Sequence, residues 1–434
     1  MSAPLSVVLI GSQSLTIEAG RQLLARKYEV RAVVTHSADV RTWAAGEGLD
    51  VLGFGPDVAT RLGGAVDWIF SVANLEMLPQ DVLALANKGA VNFHDGPLPK
   101  YAGLNAPVWA LLNGETQHGI TWHLIEGGVD EGRILAQENF DIRAGDTAFA
   151  LNTRCFEAGV QSFSRVLTAI ENNAADAAHQ DLTQRSYFAM AKRPESHGFI
   201  DHMHTREEAM QLVRALDHGP YWNPLCTAKL RIGANVFHLG GAEYDEAQSA
   251  RAGEVLALGE DTLTLGFADG ALRFTGVTGN LDAVSLGDIA VPQSLTSTTL
   301  EQLESAAKAD AFWRKRLKTL KPCTLALEQP NSRSGWTTCH IETMHEALLS
   351  DALLVLAEQM TGAPCDIAMG SASESPLIAP WVPLRDMSER ERLWDKGGFA
   401  ADLLVRDSAL SGTQTPALGL SNDAVIEGTA VTLI

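Results

Sequence analysis

The chain has 434 residues, of which 46% are hydrophobic and 20% charged, and its formal net charge is −20. This length is too great for one compact core and predicts two or three domains, while the composition is that of a folded globular protein rather than a disordered one. Nucleic-acid binding draws its affinity from Lys and Arg side chains that neutralise phosphates, so a chain this acidic is a poor candidate for it.

The sequence lacks the signs of a membrane segment, a secretory signal or a metal centre. No run of about 18 apolar residues occurs, and the start of the chain has none of the basic residues of a signal peptide. The cysteines are far apart and have no CxxC or metal-ligand spacing. They predict reduced, buried thiols in a cytoplasmic protein with no metal and no membrane partner. The five are Cys155, Cys226, Cys323, Cys339 and Cys365.

The first half alternates short apolar segments, typical of buried strands, with helical periodicity such as Leu15–Leu24. A long periodic stretch over 147–173 predicts a helix that closes this domain. The pattern predicts an α/β fold with a Rossmann-like, mostly parallel sheet covered on both faces. Gly11 follows the first strand, but the glycine pattern of a dinucleotide site is absent. The predicted strands are Val7–Ile10, Val30–Val34, Leu49–Leu52, Val66–Val72, Val91–Phe93, Ile120–Leu124 and Ile134–Leu135.

After residue 200 the pattern changes to a helix, Arg206–Leu216, followed by short strand-like runs separated by Gly and Asp turns. This spacing predicts a small β-barrel or sandwich. A Ser- and Thr-rich stretch, Gln293–Thr299, predicts a second boundary, and a charged helix over Leu300–Leu320 follows it. The helix Ala347–Met360 is apolar on nearly every side, so we expect it to be buried against another part of the protein.

The residues with the clearest chemical meaning follow one predicted strand. Asn92 and His94 are two residues apart, so their side chains point to the same side, at the carboxyl end where ligands bind in open α/β sheets. A stiff loop with two prolines, Gly96–Gly103, comes next, then His123 on the following strand and Asp130 in a glycine-flanked loop. Asn, His and Asp together can stabilise an oxyanion, move a proton and orient the His. Each of them alone is more often a turn or surface residue.

These motifs resemble the formyltransferase family that uses 10-formyltetrahydrofolate. The family pattern is Asn-x-His, a Leu-Pro-x-x-x-Gly loop, Trp-Ala, Gly-Glu, Gly-x-Thr and Asp-x-Gly. The matching segments are Asn92-Phe93-His94, Leu98-Pro99-Lys100-Tyr101-Ala102-Gly103, Trp109-Ala110, Gly114-Glu115, Gly119-Ile120-Thr121 and Asp130-Glu131-Gly132. Weaker matches extend the resemblance over residues 1–290, including Lys192-Arg193-Pro194 in the family's linker to a C-terminal barrel.

The resemblance implies roles for particular residues. A neutral amine would attack the formyl carbon on folate N10, with Asn92 and protonated His94 stabilising the oxyanion. Asp130 would hold a water or the His for the return of a proton to N10. His123 matches a supporting histidine in several relatives, although it could equally be an ordinary strand histidine. The implied folate contacts are Met77, Leu78, Gly127, Val129 and Asp130.

Two departures bear on the acceptor. Many relatives have a different loop wall where this chain has Asp95–Pro99, and an Arg where it has Ala102. Residues 200–290 contain 13 acidic and 6 basic residues, whereas a barrel that holds tRNA should be basic. Both observations argue against tRNA or phosphorylated acceptors.

The last third resembles nonribosomal peptide condensation domains, in the Phe-Trp helix around Ala309–Leu317, in Ala352–Gly370 and in Pro380–Arg385. The condensation motif His-His-x-x-x-Asp-Gly is missing, because His340 and His345 are the only histidines there. We therefore expect a catalytically silent platform. The apolar run Ala430–Ile434 suggests the front of a longer synthetase.

The sequence thus predicts a catalytic domain over 1–190, a barrel-like subdomain over 195–292 and an inactive, truncated condensation-like segment over 296–434. The expected activity is N-formylation, with an aminoacyl thioester on a peptidyl carrier protein as acceptor in nonribosomal peptide or hybrid polyketide synthesis. The carrier or adjoining synthetase domains are the expected partners. Formylation of a sugar nucleotide or free amine, hydrolysis of 10-formyltetrahydrofolate, and a silent docking module remain alternatives.

Overall fold

The computed structural model describes most of the chain. Asp201 lies outside the described residues, as do five residues that the sequence analysis names: Gln293, His340, His345, Ala430 and Ile434. The described residues are 4–200, 205–246, 251–290, 295–323, 337–339, 346–370, 375–389, 392–393, 396–410, 413, 416, 418–420 and 431–433. They form two compact units, Met1–Met190 and Ala191–Ile434.

The first unit is an α/β fold around a seven-stranded sheet. Its strands are β1 (Ser6–Ile10), β2 (Glu29–Val34), β3 (Val51–Leu52), β4 (Val66–Ser71), β5 (Ala86–His94), β7 (Gln117–Leu124) and β8 (Ile134–Asp141). Two short strands, β6 (Ala102–Gly103) and β9 (Tyr187–Phe188), pair with each other apart from this sheet. The helices are α1 (Ser14–Ala25), α2 (Ala38–Gly46), α3 (Val58–Leu62), α4 (Gln80–Leu83), α5 (Ala106–Leu112) and α6 (Ala148–Glu171).

The strand order is β3-β2-β1-β4-β5-β7-β8. The first five strands in this order run parallel, whereas β7 is antiparallel to both β5 and β8. The prediction of a mostly parallel, Rossmann-like sheet is therefore confirmed. The antiparallel β7 matters for the site, because it returns along β5 and sets its own residues opposite Asn92 and His94.

Both faces of the sheet are covered, as the continuous apolar strands predict. Alternate residues of β1 point to opposite faces: Leu9 packs in one core with α1 and α6, and Ile10 packs in another with α3 and α4. The helix α6 begins at Thr147, whose hydroxyl accepts a hydrogen bond from the backbone N–H of Ala150. This cap marks the start of the helix that the sequence predicts to close the domain.

The second unit contains helices and antiparallel strands, and its division near residues 292–296 stays a prediction. The helices are α7 (Arg206–Leu216), α8 (Ser297–Lys318), α9 (Glu346–Thr361) and α10 (Leu403–Arg406). An antiparallel pair joins β10 (Ala228–Ile232) and β11 (Asn235–Leu239). A four-stranded antiparallel sheet contains β12 (Gly241–Asp245), β13 (Val255–Leu258), β14 (Leu263–Phe267) and β15 (Gly270–Thr275), in the order β12-β15-β14-β13.

A five-stranded sheet completes the described part of this unit. Its strands are β16 (Thr337–Cys339), β17 (Ile367–Gly370), β18 (Trp381–Leu384), β19 (Leu418–Leu420) and β20 (Val431–Leu433), in the order β16-β20-β19-β17-β18. A core that includes Trp313, Trp381 and Phe399 packs between this sheet and α8.

The expectation that the apolar helix is buried is met on only one side of α9. Leu353 and Ala357 are buried, but Val355, Leu356 and Met360 are about half exposed. The apolar residues of α9 therefore extend over more of its surface than the core of this unit contacts. No helix in the described part of the chain is long and apolar enough to cross a membrane.

Candidate active site

The predicted site lies at the carboxyl edge of β5, where the strand direction changes. Asn92 stands in register with Ser71 at the end of β4 on one side and with His123 of β7 on the other. His94 stands opposite Thr121 of β7. The parallel strands thus open onto one edge, and the antiparallel β7 supplies its own side chains to that edge, which is the position of ligand sites in open α/β sheets.

Four side chains meet there. The Asn92 amide nitrogen is 3.2 Å from His123 Nε2, which is 3.4 Å from Asp130 Oδ1. The other Asp130 oxygen, Oδ2, is 3.7 Å from His94 Nδ1. The structure therefore brings Asn92, His94 and Asp130 together around His123, as the spacing of Asn92 and His94 requires. Their catalytic roles remain predictions that the geometry allows.

The ring of His94 has a fixed orientation. Its Nε2 is 2.8 Å from the carbonyl oxygen of Tyr101, and because a carbonyl only accepts, Nε2 carries a proton and donates it. Tyr101 itself adopts a left-handed backbone conformation, with φ of 60°. His94 Nδ1 is therefore the nitrogen that faces the site, and a proton on it would lie between carboxylates.

His123 supports Asn92 from behind. Its Nδ1 donates to the carbonyl of Leu124 at 2.8 Å, and its Nε2 lies 3.2 Å from the Asn92 amide nitrogen and 3.4 Å from Asp130 Oδ1. This contact orients the amide, whose second N–H remains for a substrate oxygen. The arrangement favours the supporting role over an ordinary strand histidine, although the role itself stays a prediction.

Asp130 is a held, ionised carboxylate. It is nine-tenths buried, and its Oδ2 accepts from the backbone N–H of Gly103 at 2.8 Å. Burial by itself would raise the pKa of Asp130. The contacts to His123, His94 and the Gly103 N–H together outweigh burial and lower the pKa to about 2. Asp130 is therefore negatively charged at neutral pH.

The loop after His94 is fastened by polar side chains that sequence reasoning did not single out. The Thr121 hydroxyl donates to the carbonyl of Gly96 at 2.8 Å and accepts from the N–H of Leu98 at 3.0 Å. The Gln137 amide donates to both the Leu98 carbonyl and the Thr121 hydroxyl. Thr121 belongs to the Gly-x-Thr motif, which could have indicated this role, whereas no local signal pointed to Gln137.

Asp95 is a second carboxylate beside His94, and its backbone is anchored. His118 Nε2 donates to the Asp95 carbonyl at 2.8 Å, and burial lowers the pKa of His118 to about 4, so this ring is neutral. The Asp95 Oδ1 is 3.9 Å from His94 Nδ1. Burial raises the pKa of the Asp95 carboxyl, in spite of the opposing effect of His94.

The predicted folate contacts fall on two loops. Gly127 and Val129 share the loop that carries Asp130, and Arg185 donates to the Val129 carbonyl at 2.9 Å. Met77 lies on the loop that follows β4 and is 78% exposed, while Leu78 packs partly against the sheet core. Because β4 and β5 end side by side, the loop with Met77 starts next to Asn92. In the described part of the chain, no cluster of three or more His, Cys, Asp or Glu side chains is arranged to hold a metal.

Residues 8–167 match the family model described as formyl transferase. An N-formyltransferase from Helicobacter canadensis, solved with folinic acid and dTDP-3-aminofucose, shares 19% identity and a TM-score of 0.50, over 64% of this chain and 100% of that one. HypX from Aquifex aeolicus, solved with tetrahydrofolic acid, shares 17% identity and a TM-score of 0.47, over 96% of this chain and 69% of that one.

The segment over residues 8–167, which is less than half of the chain, is therefore similar to the formyl transferase class of enzyme domains. The resemblance inferred from the motifs is confirmed by the family match. The one-carbon donor of the class is 10-formyltetrahydrofolate.

Proposed function

We propose that this chain transfers the formyl group of 10-formyltetrahydrofolate to the amino group of an aminoacyl thioester held on a peptidyl carrier protein. The observation that carries formyl transfer is the meeting of Asn92, His94 and Asp130 at one edge of the sheet, within 3.2–3.7 Å contacts that run through His123 and Asp130. Carrier-bound acceptors occur in nonribosomal peptide and hybrid polyketide synthesis.

The chemistry requires donors aimed at the formyl oxygen and an acceptor for protons. The free N–H of Asn92 and a protonated Nδ1 of His94 supply two donors for the charge that develops on that oxygen. The Asp130 carboxylate lies against His94 Nδ1 and stabilises the protonated ring. The same pair then returns a proton toward the departing nitrogen of the donor.

The edge also fits the donor molecule. A flat pteridine needs apolar cover and backbone groups, and the loop after β4 presents Leu75 and Met77, both more than three-quarters exposed. The loop of Asp130 contributes Gly127 and Val129 on the other side of the site. We propose these two loops as the walls of the folate slot.

Two features favour a carrier-bound amine over a nucleic-acid acceptor. The stretch 200–290 carries a net charge of −7, which repels phosphates. The segment 296–434 resembles a condensation domain, and this resemblance supports a carrier-bound acceptor because carrier proteins are the natural partners of such domains. Four free, buried cysteines fit a reducing, cytoplasmic setting.

The test is a transfer assay by mass. The chain is incubated with 10-formyltetrahydrofolate and with aminoacyl-loaded carrier proteins, dTDP-amino sugars or free amino acids, and each acceptor is weighed. We expect a gain of one formyl group on the loaded carrier. A gain only on the sugar nucleotide would replace the proposed acceptor, and formate release that needs no acceptor would favour a hydrolase.

The Asn92→Ala variant tests the site itself. Loss of one oxyanion donor typically lowers the rate about 10²–10³-fold. The exposed Asn172 at the end of α6 provides the matched control, and Asn172→Ala should keep full activity. Unchanged transfer by a folded Asn92→Ala variant would contradict the assignment.

A further inference from the structure

Asp95 places a second carboxylate against the imidazole that Asp130 already contacts. Its Oδ1 is 3.9 Å from His94 Nδ1, and the Asp130 Oδ2 is 3.7 Å from the same nitrogen. Two carboxylates at one nitrogen are more than is needed to hold a ring whose other nitrogen is already bonded to a carbonyl. One of them is available for another task.

The hydrogen bonds distinguish the two carboxylates. Both oxygens of Asp130 have partners, the Gly103 N–H at one and His123 at the other. In the part of the chain that the structure describes, the Asp95 carboxylate makes no hydrogen bond to another residue. Asp95 therefore keeps its lone pairs for a molecule that enters the site.

The exposed fractions of these side chains also favour Asp95 as the group available to an incoming molecule. The side chain of Asp95 is 28% exposed, against 10% for Asp130 and 5% for His94. Of the side chains around His94 Nδ1, Asp95 thus has the largest exposed fraction. Its backbone carbonyl is contacted by His118 and, at 3.8 Å, by the Cys155 thiol.

An acceptor amine brings a proton that must leave before it can react. Alpha-amino groups have a pKa near 8, so most are ammonium ions at neutral pH and have no lone pair for attack. A carboxylate at the entrance both attracts the ammonium and accepts its proton. Asp130, with both oxygens engaged and a strong preference for its ionised form, is poorly suited to this step.

We propose that Asp95 binds the ammonium form of the acceptor and removes its first proton. This inference rests on the proposed function. One N–H bond of the ammonium breaks and an O–H bond forms on Asp95, which leaves a neutral amine beside His94. The amine nitrogen then bonds to the formyl carbon while the bond from that carbon to folate N10 breaks.

The protons balance in this scheme. The amine nitrogen loses its second proton as the new amide forms, and N10 gains one, through the pair of His94 and Asp130. The proton on Asp95 passes to water when the product leaves, so each turnover releases one proton overall. The acceptor class follows: a primary amine that is cationic at neutral pH.

The experiment compares Asp95→Asn with the wild-type chain across pH, using the acceptor that the wild type formylates. Asparagine has nearly the same shape and cannot take a proton. We expect the rate to fall about 10²-fold at pH 7 and to approach the wild-type rate near pH 9, where solution supplies free amine. A rate loss that is the same at every pH would overturn the proposal.

A second acceptor and two further variants complete the test. An aminooxy analogue of the acceptor is neutral at pH 7, so Asp95→Asn should formylate it as fast as the wild type does, and an equal loss with both acceptors would contradict the role. Asp95→Glu should recover part of the rate by restoring a carboxylate. Asp176→Asn, at an exposed position, is the matched control.

The two proposals can fail separately. If the wild-type chain formylates no amine, the proposed function fails. If it formylates an amine and Asp95→Asn follows the wild-type pH profile, only the role of Asp95 fails.

Discussion

Asp130 combines a strained backbone with a buried charge. Its φ is 56°, in the left-handed region that Asp and Asn tolerate better than other residues with side chains. A conformation of this kind costs on the order of 1 kcal/mol or more and persists where surrounding contacts hold it, here the Gly103 N–H and His123.

This backbone decides which substitution of Asp130 is informative. We expect Asp130→Asn to fold like the wild type and to lose at least about 10²-fold in rate, because the ring of His94 loses its counter-charge. Asp130→Ala should lose as much rate and also about 1 kcal/mol of stability. Steady-state kinetics beside thermal unfolding separates the two effects, with Asp176→Asn as control. A wild-type rate in folded Asp130→Asn would remove Asp130 from the mechanism.

Asp95 should lower the stability of the fold although it serves the proposed activity. Its pKa in the folded chain is raised above the ordinary value near 4, because burial disfavours the charged form. The folded state therefore binds this proton more tightly, and stability falls as pH rises from the unfolded value through the folded one. At pH 7, well above the unfolded value, the raised pKa of Asp95 therefore lowers the stability of the fold.

The expected result is a higher melting temperature for Asp95→Asn than for the wild type at pH 7, and a difference that disappears below about pH 4. Scanning calorimetry at both pH values measures it. A lower melting temperature at pH 7 would mean that the charged form of Asp95 stabilises the fold.

At the scale of elements, the loop between β5 and α5 positions the imidazole. A Cβ added to Gly96 would lie 2.7 Å from His94 Nε2 and 2.9 Å from the Cβ of Ala106. Such contacts require the ring of His94 or the helix α5 to move. Gly96 is therefore part of the site although it carries no side chain.

We expect Gly96→Ala to lower the rate about 10²-fold through the displaced ring and to cost about 1–3 kcal/mol of stability through overpacking. Gly145→Ala is the matched control, because a Cβ there meets no atom within 4 Å. Activity and urea unfolding of both variants give the comparison. A fully active Gly96→Ala variant would show that the ring position tolerates such a shift.

Much of the first unit could be predicted because its signals are local. Short apolar strands alternate with helical periodicity, and the Asn-x-His spacing places two side chains on one side of β5. The direction of β7 could not be predicted from such patterns, since it depends on pairing with a strand more than twenty residues away. The hydrogen bonds by which Thr121 and Gln137 hold the loop after His94 could not be predicted for the same reason.

The element that misled the sequence reasoning is α9. Hydrophobicity on every side predicts burial, but the packing partners present decide which sides are covered. Val355, Leu356 and Met360 stay about half exposed among the described residues. An apolar sequence therefore reports what a helix can bury, whereas the fold determines what it does bury.

At the scale of the whole molecule, the second unit is joined by buried charges from distant parts of its sequence. Arg406 on α10 donates to Asp402 at 2.9 Å and to Asp310 on α8 at 3.1 Å. Lys229 on β10 contacts Asp402 at 2.7 Å, and Arg193 contacts Asp310 at 2.8 Å. The network spans more than 200 residues of sequence, so no local pattern could have indicated it.

Breaking this network should unfold the second unit selectively. Arg406→Met removes one of the two cations at each of the buried carboxylates Asp402 and Asp310, and loss of one partner of a buried pair costs about 3–5 kcal/mol. The exposed Arg273→Met is the matched control. Hydrogen exchange of the full chain should show lost protection in 191–434 and unchanged protection in 1–190. Unchanged exchange throughout would show that packing alone holds the unit.

The same network sets the response of this unit to acid. Burial would raise the pKa of Asp402, but Lys229 and Arg406 outweigh it and hold the pKa well below the ordinary value. A depressed pKa adds stability above about pH 4 that is lost as pH falls toward the folded value. Stability of the wild type should therefore decline steeply below pH 4, and Arg406→Met should flatten that decline in a pH series of urea unfolding.

The bond between His94 and the backbone of Tyr101 restricts how protons travel during turnover. An imidazole with both ring nitrogens free can relay protons by accepting one at the first nitrogen and releasing one from the second. In His94 the Nε2 proton is held by the Tyr101 carbonyl, so a proton that is accepted at Nδ1 must also leave from Nδ1. Uptake and release of the proton at Nδ1 are consequently separate in time. Between the two steps, the substrate has to move so that a different atom lies against Nδ1.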